Sequence, residues 1–436
     1  MLIGRILADG QRLGHLDLEA TEAAVRAAML RLGASLLEQL LSTDGGRHLG
    51  PHIACGQGHQ ATFVDYRTKG LQTTLGPVRM RRAYYHCTTC RHGVIPKDRE
   101  LDVVGTGCSP ALRRLLARVG SQQAFARASA DLDALADVRV GAKQVERVAE
   151  AIGIEAEALH AVERGAALQG KLLPCLPPVP KIYIAIDGTG VPMARRETEG
   201  HQGKVPGTQA RTREAKLGCV FTQTILDAHN RPQRDPNSTS YVGAIEPAEA
   251  FGARIYAEAV RRGHLRAQEL AVLGDGAPWI RTLVEEHFPS ATQIVDLFHA
   301  REHLAKVAKA AFGPLSPDWQ PWLTARSAEL DASKVELVVA AIAQLPTHLE
   351  EAADEIRKAG DYFRTNAERM RYAHFRARGL FVGSGVIEAG CRTVIGQRLK
   401  NSGMHWTVRG ANAIIALRCL ELSGRTEDFW QARAQI

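Results

Sequence analysis

The chain has 436 residues, with 55 lysines and arginines against 47 aspartates and glutamates, giving a formal net charge of +8. This length allows two or three domains with at least one sizeable core, and the positive excess is compatible with a polyanionic partner. No apolar run approaches the ~20 residues of a membrane span, and the opening MLIGRILADG lacks the apolar core of a secretion signal. The eight cysteines are too sparse and unevenly spaced for a disulfide framework, so we expect a reducing, cytoplasmic location.

The first predicted region is residues 1–44, and positions 17–41 within it have the periodicity of one amphipathic helix. Its apolar side chains at helical spacing are Leu18, Val25, Ala28, Met29, Leu32 and Leu36. We interpret the helix as one that packs against the core. The alternative is that its apolar face joins a partner subunit.

Residues 45–107 form a region rich in glycine, histidine and cysteine, with strand-like alternation in its centre. Cys87 and Cys90 make a C-x-x-C pair after a predicted strand, and Cys55 and His59 lie four apart in CGQGH. Two such turns joined by strands are typical of a zinc ribbon, in which four ligands hold one tetrahedral ion. The first pair is the less specific one, and three further histidines are rival ligands: His52, His86 and His92. A small β unit with free thiols is the alternative.

Residues 108–172 are predicted to be helical, starting from the favourable cap pair Ser109–Pro110. The pattern helix, short DVRVG break, helix is the outline of a helix-turn-helix DNA-binding unit. In that arrangement Lys143, Gln144 and Arg147 would face DNA. A plain helical hairpin has the same outline and stays open as the alternative.

The proline-rich segment LPCLPPVPK, residues 173–181, is a natural domain boundary, so the last predicted domain is 173–436. Three strand-like segments come first, followed by helix, strand, helix and strand. This order is that of an RNase H-like fold, a mixed sheet with helices on both faces. A nearly all-helical stretch at about 305–380 would be an insertion that splits this domain.

Two of the strand-like segments end in an aspartate followed by glycine, Asp187 in KIYIAIDGTG and Asp275 in ELAVLGDGA. Active sites of open α/β sheets collect at the carboxyl ends of strands, where both fall. Glu388, in GSGVIEAGC, follows a Ser-Gly helix start. Carboxylate oxygens are the ligands that Mg²⁺ and Mn²⁺ prefer, and two such ions support displacement at phosphorus. Three converging acids therefore predict a two-metal site for phosphodiester chemistry.

Asp296 and His299 close the next strand as D-L-F-H and are predicted to face the same cleft. We interpret His299 as a hydrogen-bond donor near the scissile phosphate and Asp296 as a positioning group. A histidine satisfied by local backbone is the alternative. Basic and aromatic residues after Glu388 are candidates for binding phosphates or stacking a base. They are Arg392, Arg398, Lys400, Trp406 and Arg409, and a solvated basic helix face explains them equally well.

At these residues the chain resembles the ISKra-type insertion-sequence transposases of the DDE class over nearly its whole length. The motifs that carry the resemblance are IDGTGVPM, KLGCVFTQT, STSYVGAIE, VLGDGAPWI, IVDLFHAREHL, NAERMRY, GLFVGSGVIEAGC and SGMHWTVRGANAIIALR. The resemblance implies that Asp187, Asp275 and Glu388 are the DDE triad of an interrupted RNase H-like domain. It implies that Asp296 and His299 are a D-x-x-H element and that the amino-terminal part recognises the element ends.

The implied reaction has two steps, hydrolysis of a phosphodiester at an element end and attack of the freed 3′-hydroxyl on target DNA. A homodimer or higher oligomer on double-stranded DNA is expected because two ends are joined, as is a bacterial, nucleoid-associated location. Two other classes remain as alternatives: a non-catalytic DNA-binding regulator, and a sugar-kinase or actin-class ATPase, for which GLFVGSG would be the second glycine-rich loop. The missing third glycine in GTGVPM argues against a dinucleotide-binding dehydrogenase.

Overall fold

The computed structural model describes residues 17–203, 207–346 and 350–433, so the first sixteen residues of the predicted amino-terminal region lie outside the described part. The chain divides into two compact units, Met1–Ala149 and Glu150–Ile436. The division falls inside one helix, Ala142–Leu168, rather than in the proline-rich segment at 173–181. The later part of this helix belongs to the second unit because Glu157 binds the buried Arg254 through two hydrogen bonds of 2.8 and 2.9 Å.

The first unit combines helices with one antiparallel sheet. Its helices are α1 (Leu18–Leu40), α2 (Pro96–Glu100), α3 (Pro110–Gln122), α4 (Phe125–Ala136) and the start of α5 (Ala142–Leu168). Its strands are β1 (His52–Ala54), β2 (Gln60–Thr73), β3 (Gly76–Cys87) and β4 (His92–Val94), which pair in that order. The long β2–β3 hairpin provides most of the sheet.

The predicted first helix is present, and its orientation differs from the expectation. Asp17 caps α1 by accepting a hydrogen bond from the Ala20 amide at 3.0 Å. Leu37 and Leu41 pack against the hairpin core, whereas the larger side chains of the predicted apolar face are exposed. The core-packing interpretation is therefore wrong for these side chains: Leu18, Val25, Met29, Leu32 and Leu36. The face that binds the sheet instead carries Ala34, Leu37 and Leu41.

Helices α3 to α5 occupy the region predicted to be helical. Ser109 caps α3 by accepting a hydrogen bond from the Leu112 amide, as its position before proline predicts. Residues 137–141 separate α4 from α5, and Asp137 adopts the left-handed conformation with φ of 54°. The helix, turn and helix that the sequence predicts are therefore present.

The second unit is a mixed α/β structure. Its strands are β5 (Lys181–Pro192), β6 (Thr212–Gln223), β7 (Ile225–Leu226), β8 (Pro232–Gln233), β9 (Ser240–Ala244), β10 (Glu269–Gly274) and β11 (Thr292–Val295). Its helices after α5 begin with α6 (Ala248–Arg261), α7 (Pro278–His287), α8 (Leu297–Phe312), α9 (Trp319–Asp331) and α10 (Val335–Ala343). They continue with α11 (Glu350–Asn366), α12 (Tyr372–Ala377), α13 (Gly385–Gly390), α14 (Gln397–Leu399), α15 (Val408–Leu422) and α16 (Thr426–Arg433).

Five of these strands form a mixed sheet in the order β11-β10-β5-β6-β9. Strands β11, β10 and β5 are parallel, and β6 is antiparallel to both β5 and β9. Alternate residues of the central strand, Ile182, Ile184 and Ile186, pack with Phe251 of α6 and other apolar side chains on one face. The odd-numbered residues that follow, including Asp187, therefore point to the opposite face.

That opposite face is covered in part by the segment that follows the helical insertion. Phe381 packs edge-on against Tyr183 and Phe221, whose rings stack 5.0 Å apart. Gly390 lies against Tyr241 and Leu217, where a β-carbon would come within 2.7 Å of the tyrosine ring. The helix that carries Glu388 consequently lies against the same side of the sheet as Asp187.

Candidate functional site

Asp187 lies within β5, and Asp275 directly follows the neighbouring parallel strand β10. The register between β10 and β5 pairs Leu273 with Ala185, and each aspartate follows two residues later. Adjacent strands lie about 4.8 Å apart, and residues in register point to the same face. The sheet therefore brings the two carboxylates, which are 88 positions apart in the chain, to one edge of one face.

The surroundings of Asp187 make its negative charge costly. Its carboxylate accepts a hydrogen bond from the Gly188 amide at 2.7 Å and is half-buried. Burial raises the pKa of Asp187 and the nearby Asp275 carboxylate raises it further, while the Gly188 amide, the Cys391 thiol and His299 act in the opposite direction. A carboxylate pair held in this way is a suitable donor set for a divalent cation, which would remove the repulsion.

Asp275 lies in a turn stabilised by its own side chain. Its Oδ1 accepts a hydrogen bond from the Ala277 amide at 2.8 Å, and the intervening Gly276 has φ of +86°. A β-carbon at Gly276 would be 3.0 Å from the Tyr362 ring. Glycine is required here for its conformation and for the close approach of the helical insertion.

Glu388 lies on α13, which packs against the same face of the sheet as Asp187. Cys391, directly after that helix, is buried and interacts electrostatically with the Asp187 carboxylate. Glu388 is exposed, and its Oε1 accepts a hydrogen bond from Ser384 Oγ at 3.2 Å. Within the described ranges, the three acids do not form a group whose ligand atoms all lie within 4.8 Å of one another. The structure therefore places Glu388 on the correct face of the sheet but does not bring its carboxylate together with the two aspartates.

A short π-helical turn, Cys391–Gly396, follows immediately after α13. Such turns are uncommon and frequently occur at functional sites, where they shift the direction of a helix by one residue. Here the turn begins at the residue that contacts Asp187. Burial raises the pKa of the Cys391 thiol, and the Asp187 carboxylate raises it further, so the thiol stays a neutral donor at physiological pH.

Asp296 is a buried connector between two parts of the site. It is the cap of α8, and its Oδ1 accepts a hydrogen bond from the His299 amide at 2.6 Å. Its Oδ2 accepts a short hydrogen bond from the amide of Ser384, the residue before α13. One carboxylate thus fixes the start of the helix with His299 and the start of the helix with Glu388.

His299 lies in the first turn of α8, with its side chain 43% exposed. Its ring centroid lies 5.5 Å from that of His303, and its charge opposes the rise in the pKa of Asp187. His303, one turn later, stacks on Tyr362 with ring centroids 4.1 Å apart. Tyr362 donates a hydrogen bond from its hydroxyl to the backbone oxygen of Asp275 at 2.9 Å. The helical insertion therefore contributes side chains to the surroundings of the acids.

The basic and aromatic candidates after Glu388 separate into two groups. Arg392, Lys400 and Arg409 are exposed, and the Lys400 ammonium donates a short hydrogen bond to Thr189 Oγ1, two residues after Asp187. Arg398 and Trp406 are instead buried, with the guanidinium 4.9 Å from the ring centroid. The structure corrects the expectation that these two face DNA, because they pack against each other inside the second unit.

The predicted DNA-contacting residues of the first unit also differ in exposure. Lys143 and Arg147 are exposed on α5, whereas Gln144 is half-buried and donates a hydrogen bond to Cys108 Sγ at 3.0 Å. Gln144 is therefore engaged within the unit, and a role in DNA contact stays a prediction for the other two.

Cys55, His59, Cys87 and Cys90 form a second site, in the first unit, that could hold a metal ion. Their ligand atoms all lie within 4.8 Å of one another. Cys55 Sγ and Cys90 Sγ are 3.6 Å apart, close to the roughly 3.8 Å between sulfurs around a tetrahedral zinc with bonds of about 2.3 Å. The donor set and spacing are compatible with zinc.

Two tight turns present these ligands. The Cys55 amide donates to the His59 oxygen at 2.9 Å, and the intervening Gly56 and Gly58 have φ of 85° and 78°. The backbone amide and thiol of Cys90 lower the pKa of Cys87 to about 7, and in return hydrogen bonding to Cys87 raises the pKa of Cys90 to about 11. The cluster thus favours a thiolate even without an ion.

Three residues near the acids were not among the sequence candidates: Tyr362, His303 and Cys391. His303 and Cys391 had detectable patterns, because each lies one helical turn from a candidate, His299 and Glu388 respectively. Tyr362 had none, since nothing in its local sequence links it to a strand end 87 residues away.

Residues 262–432 match the model of an uncharacterised protein family, UPF0236. The match covers fewer than half of the residues and includes Asp275, Asp296, His299 and Glu388, but not Asp187. No curated protein matches the chain. No helix within the described ranges combines the length and apolar character needed to cross a bilayer.

Proposed function

We propose that this chain is a DNA transposase of the DDE class, which cleaves DNA at the ends of its element and joins those ends to target DNA. The observation that carries the proposal is the geometry of one strand edge. Asp187 on β5 and Asp275 directly after β10 each lie two residues beyond the register pair Ala185 and Leu273, and Cys391, directly after the helix with Glu388, interacts with Asp187. Acids that repel one another at a strand edge are costly for folding, which favours a role in binding cations.

The topology supports an RNase H-like catalytic domain. In chain order, the strands of the sheet are arranged 5-4-1-2-3, with the second antiparallel to its neighbours. This agrees with the element order that led us to expect the fold, including a long helical segment before the helix with Glu388.

Asp187, Asp275 and Glu388 would hold two Mg²⁺ or Mn²⁺ ions. Such ions activate an attacking oxygen and stabilise a leaving oxygen in displacement at phosphorus. The protein's own groups would position the DNA: His299 as a donor beside the acids, and Lys400, Arg392 and Arg409 as exposed cations for phosphates. Asp296 would keep both helices of the site in place.

The reaction breaks one phosphodiester with water, releasing a 3′-hydroxyl, and that hydroxyl then attacks a target phosphodiester. Neither step needs a covalent bond between the protein and DNA. The first unit, with its zinc-compatible group and the exposed Lys143 and Arg147, would recognise the element ends. Joining two ends requires a homodimer or higher oligomer, acting at the nucleoid in the cytoplasm.

The deciding experiment uses purified full-length protein and labelled duplexes that carry the DNA flanking its gene. We expect strand cleavage in Mg²⁺ and none in EDTA. Asp187→Asn and Asp275→Asn should each reduce cleavage at least about 1,000-fold while DNA binding in a mobility-shift assay is retained. Asp361→Asn, which removes an exposed carboxylate paired with Arg364, is the matched control and should cleave normally.

Cleavage by Asp275→Asn at the wild-type rate in Mg²⁺ would contradict the assignment. Binding of the flanking DNA without cleavage by the wild-type protein would favour a regulator. Hydrolysis of ATP without any effect on DNA would favour the kinase or actin class.

A further inference from the structure

Helix α1 has a row of exposed apolar side chains. Leu18, Val25, Met29, Leu32, Leu36 and Leu40 are between 45% and 68% exposed. Isolated exposed apolar side chains are ordinary on protein surfaces, but six on one side of a 23-residue helix form an apolar strip. Such a strip marks a surface that another molecule covers.

The spacing of this strip is that of a coiled coil. Positions 18, 22, 25, 29, 32, 36 and 39 follow one another at intervals of four and three, and five of the seven are apolar. A repeat averaging 3.5 residues is the pattern by which one helix packs along another. We call the five apolar residues the α1 seam: Leu18, Val25, Met29, Leu32 and Leu36. Leu40 extends the strip at its end.

The seam cannot turn inward, because the other side of α1 is already bound to the first unit. Leu37 packs against the core of the β2–β3 hairpin, and Gly33 faces Leu75 at the hairpin turn. Glu38 accepts a hydrogen bond from the Arg79 amide at 2.8 Å, and Arg26 pairs with Asp137 at 3.1 Å. These contacts hold α1 on the sheet with its seam outward.

We propose that the α1 seam pairs with the α1 seam of a second copy of this chain. Burying roughly 100 Å² on each of six side chains per copy would cover about 1,200 Å² in total, which reaches the size of specific protein interfaces. A heptad seam fits a helix of its own kind, and an identical one is always present at equal concentration. Glu22 interrupts the apolar run near one end, so the continuous part is residues 25–40.

The midpoint of α1 gives a sharp test of this pairing. Met29 has eleven helical residues on each side. A parallel pair in register brings Met29 of both copies together at the two-fold axis, and so does an antiparallel pair that overlaps over the full length of α1. In a Cys175→Ser background, which removes an exposed thiol, Met29→Cys should form a reducible covalent dimer under mild oxidation. Ala23→Cys, exposed on the same helix but outside the seam, should not.

The second measurement is the mass of the purified full-length chain, without DNA, by light scattering across a range of concentrations. We expect a dimer, and we expect Met29→Glu with Leu32→Glu to raise its dissociation constant at least about 100-fold. The control, Ala20→Glu with Ala23→Glu, places the same charges on exposed positions outside the seam and should leave the dimer intact.

Circular dichroism separates loss of pairing from loss of the helix in both double variants. A wild-type chain that is monomeric at tens of micromolar overturns the proposal, and so does a dimer unaffected by the seam charges. Protection of the Met29→Cys thiol from a maleimide in a monomer would show that another part of the same chain covers the seam, which also overturns it. The proposal does not depend on the transposase assignment, since every measurement is made without DNA.

Discussion

The cysteine–histidine group of the first unit and the acidic edge of the second are both candidate metal sites, and they are built in opposite ways. The first takes four ligands from two turns, within positions 55–90, and holds their donor atoms within 4.8 Å of one another. The second takes acids from positions 187, 275 and 388, on three separate elements. The donor atoms of the first site face one another, whereas the second site is open to solvent because Glu388 and His299 are exposed.

The electrostatics within the second unit set the acidic edge apart. Burial alone would raise the pKa of Glu157, but His160 and the hydrogen-bonded Arg254 guanidinium lower it to about 2. Asp187 has an acidic neighbour instead, and its pKa is raised. A closed set of soft ligands is typical of a structural ion, and an open set of unpaired acids is typical of a catalytic one.

The largest effect should follow from breaking the closed site. Cys87→Ser removes one of four ligands from a small core that consists largely of cysteine and alanine side chains. We expect bound zinc to fall from one ion per chain to none and the melting temperature of the first unit to drop by more than about 10 °C. Elemental analysis and circular dichroism measure both. Cys108→Ser, buried outside the group, should keep its zinc, and retention of zinc by Cys87→Ser would refute the ligand set.

Asp296→Ala tests the carboxylate that joins the helix with His299 to the helix with Glu388. Both carboxylate oxygens accept backbone hydrogen bonds in a buried position, so we expect a loss of about 3 kcal/mol in the free energy of unfolding by denaturant. Cleavage should be lost as well, because the helix with Glu388 is no longer fixed. Asp318→Ala is the matched control: Asp318 precedes α9 without a side-chain capping bond, and its removal should cost less than about 0.5 kcal/mol. Equal losses of unfolding free energy in the two variants would show that Asp296 does not connect the two helices of the site.

Tyr362→Phe should weaken the open site without unfolding it. The variant loses the hydrogen bond to the Asp275 backbone, so we expect the Mg²⁺ concentration for half-maximal cleavage to rise roughly fivefold. Tyr372→Phe removes a buried hydroxyl that has no partner among the described residues and should leave the Mg²⁺ dependence unchanged. A uniform loss of activity at all Mg²⁺ concentrations would point to a general structural role for Tyr362.

The smallest effect concerns stability and pH in EDTA. Because the pKa of Asp187 is raised in the folded protein, its ionised form destabilises the fold at neutral pH. Asp187→Asn should therefore melt about 1–3 °C above the wild type at pH 7. The difference in melting temperature should disappear as pH falls through the raised pKa, where the wild-type carboxyl becomes neutral.

Glu157→Gln should melt below the wild type at pH 7. The lowered pKa of Glu157 stabilises the fold above about pH 4.5, and that contribution is lost toward pH 2. A wild type more stable than Asp187→Asn at every pH would show that the charge is compensated.

Much of the second unit was readable from the sequence because its signals are local. Apolar runs predicted β5, β6 and β10, and Asp275 directly follows β10 as expected, whereas Asp187 lies inside β5, which continues to Pro192. The C-x-x-C spacing and the pair Cys55 and His59 predicted the group that the first unit brings together. Each of these depends on residues within a few positions of one another, where backbone geometry leaves few choices.

Local sequence patterns thus predicted most of the helices and strands, and the cysteine–histidine group that could hold a metal ion. Only the tertiary structure decided which face of α1 binds the sheet, that Arg398 and Trp406 are buried, and that Cys391 and Tyr362 contact the acidic edge. Helical periodicity predicts which face of a helix is apolar, but it does not predict which part of the protein packs against that face. Contacts between elements depend on strand register and on packing between residues far apart in the chain, and no local pattern predicts them.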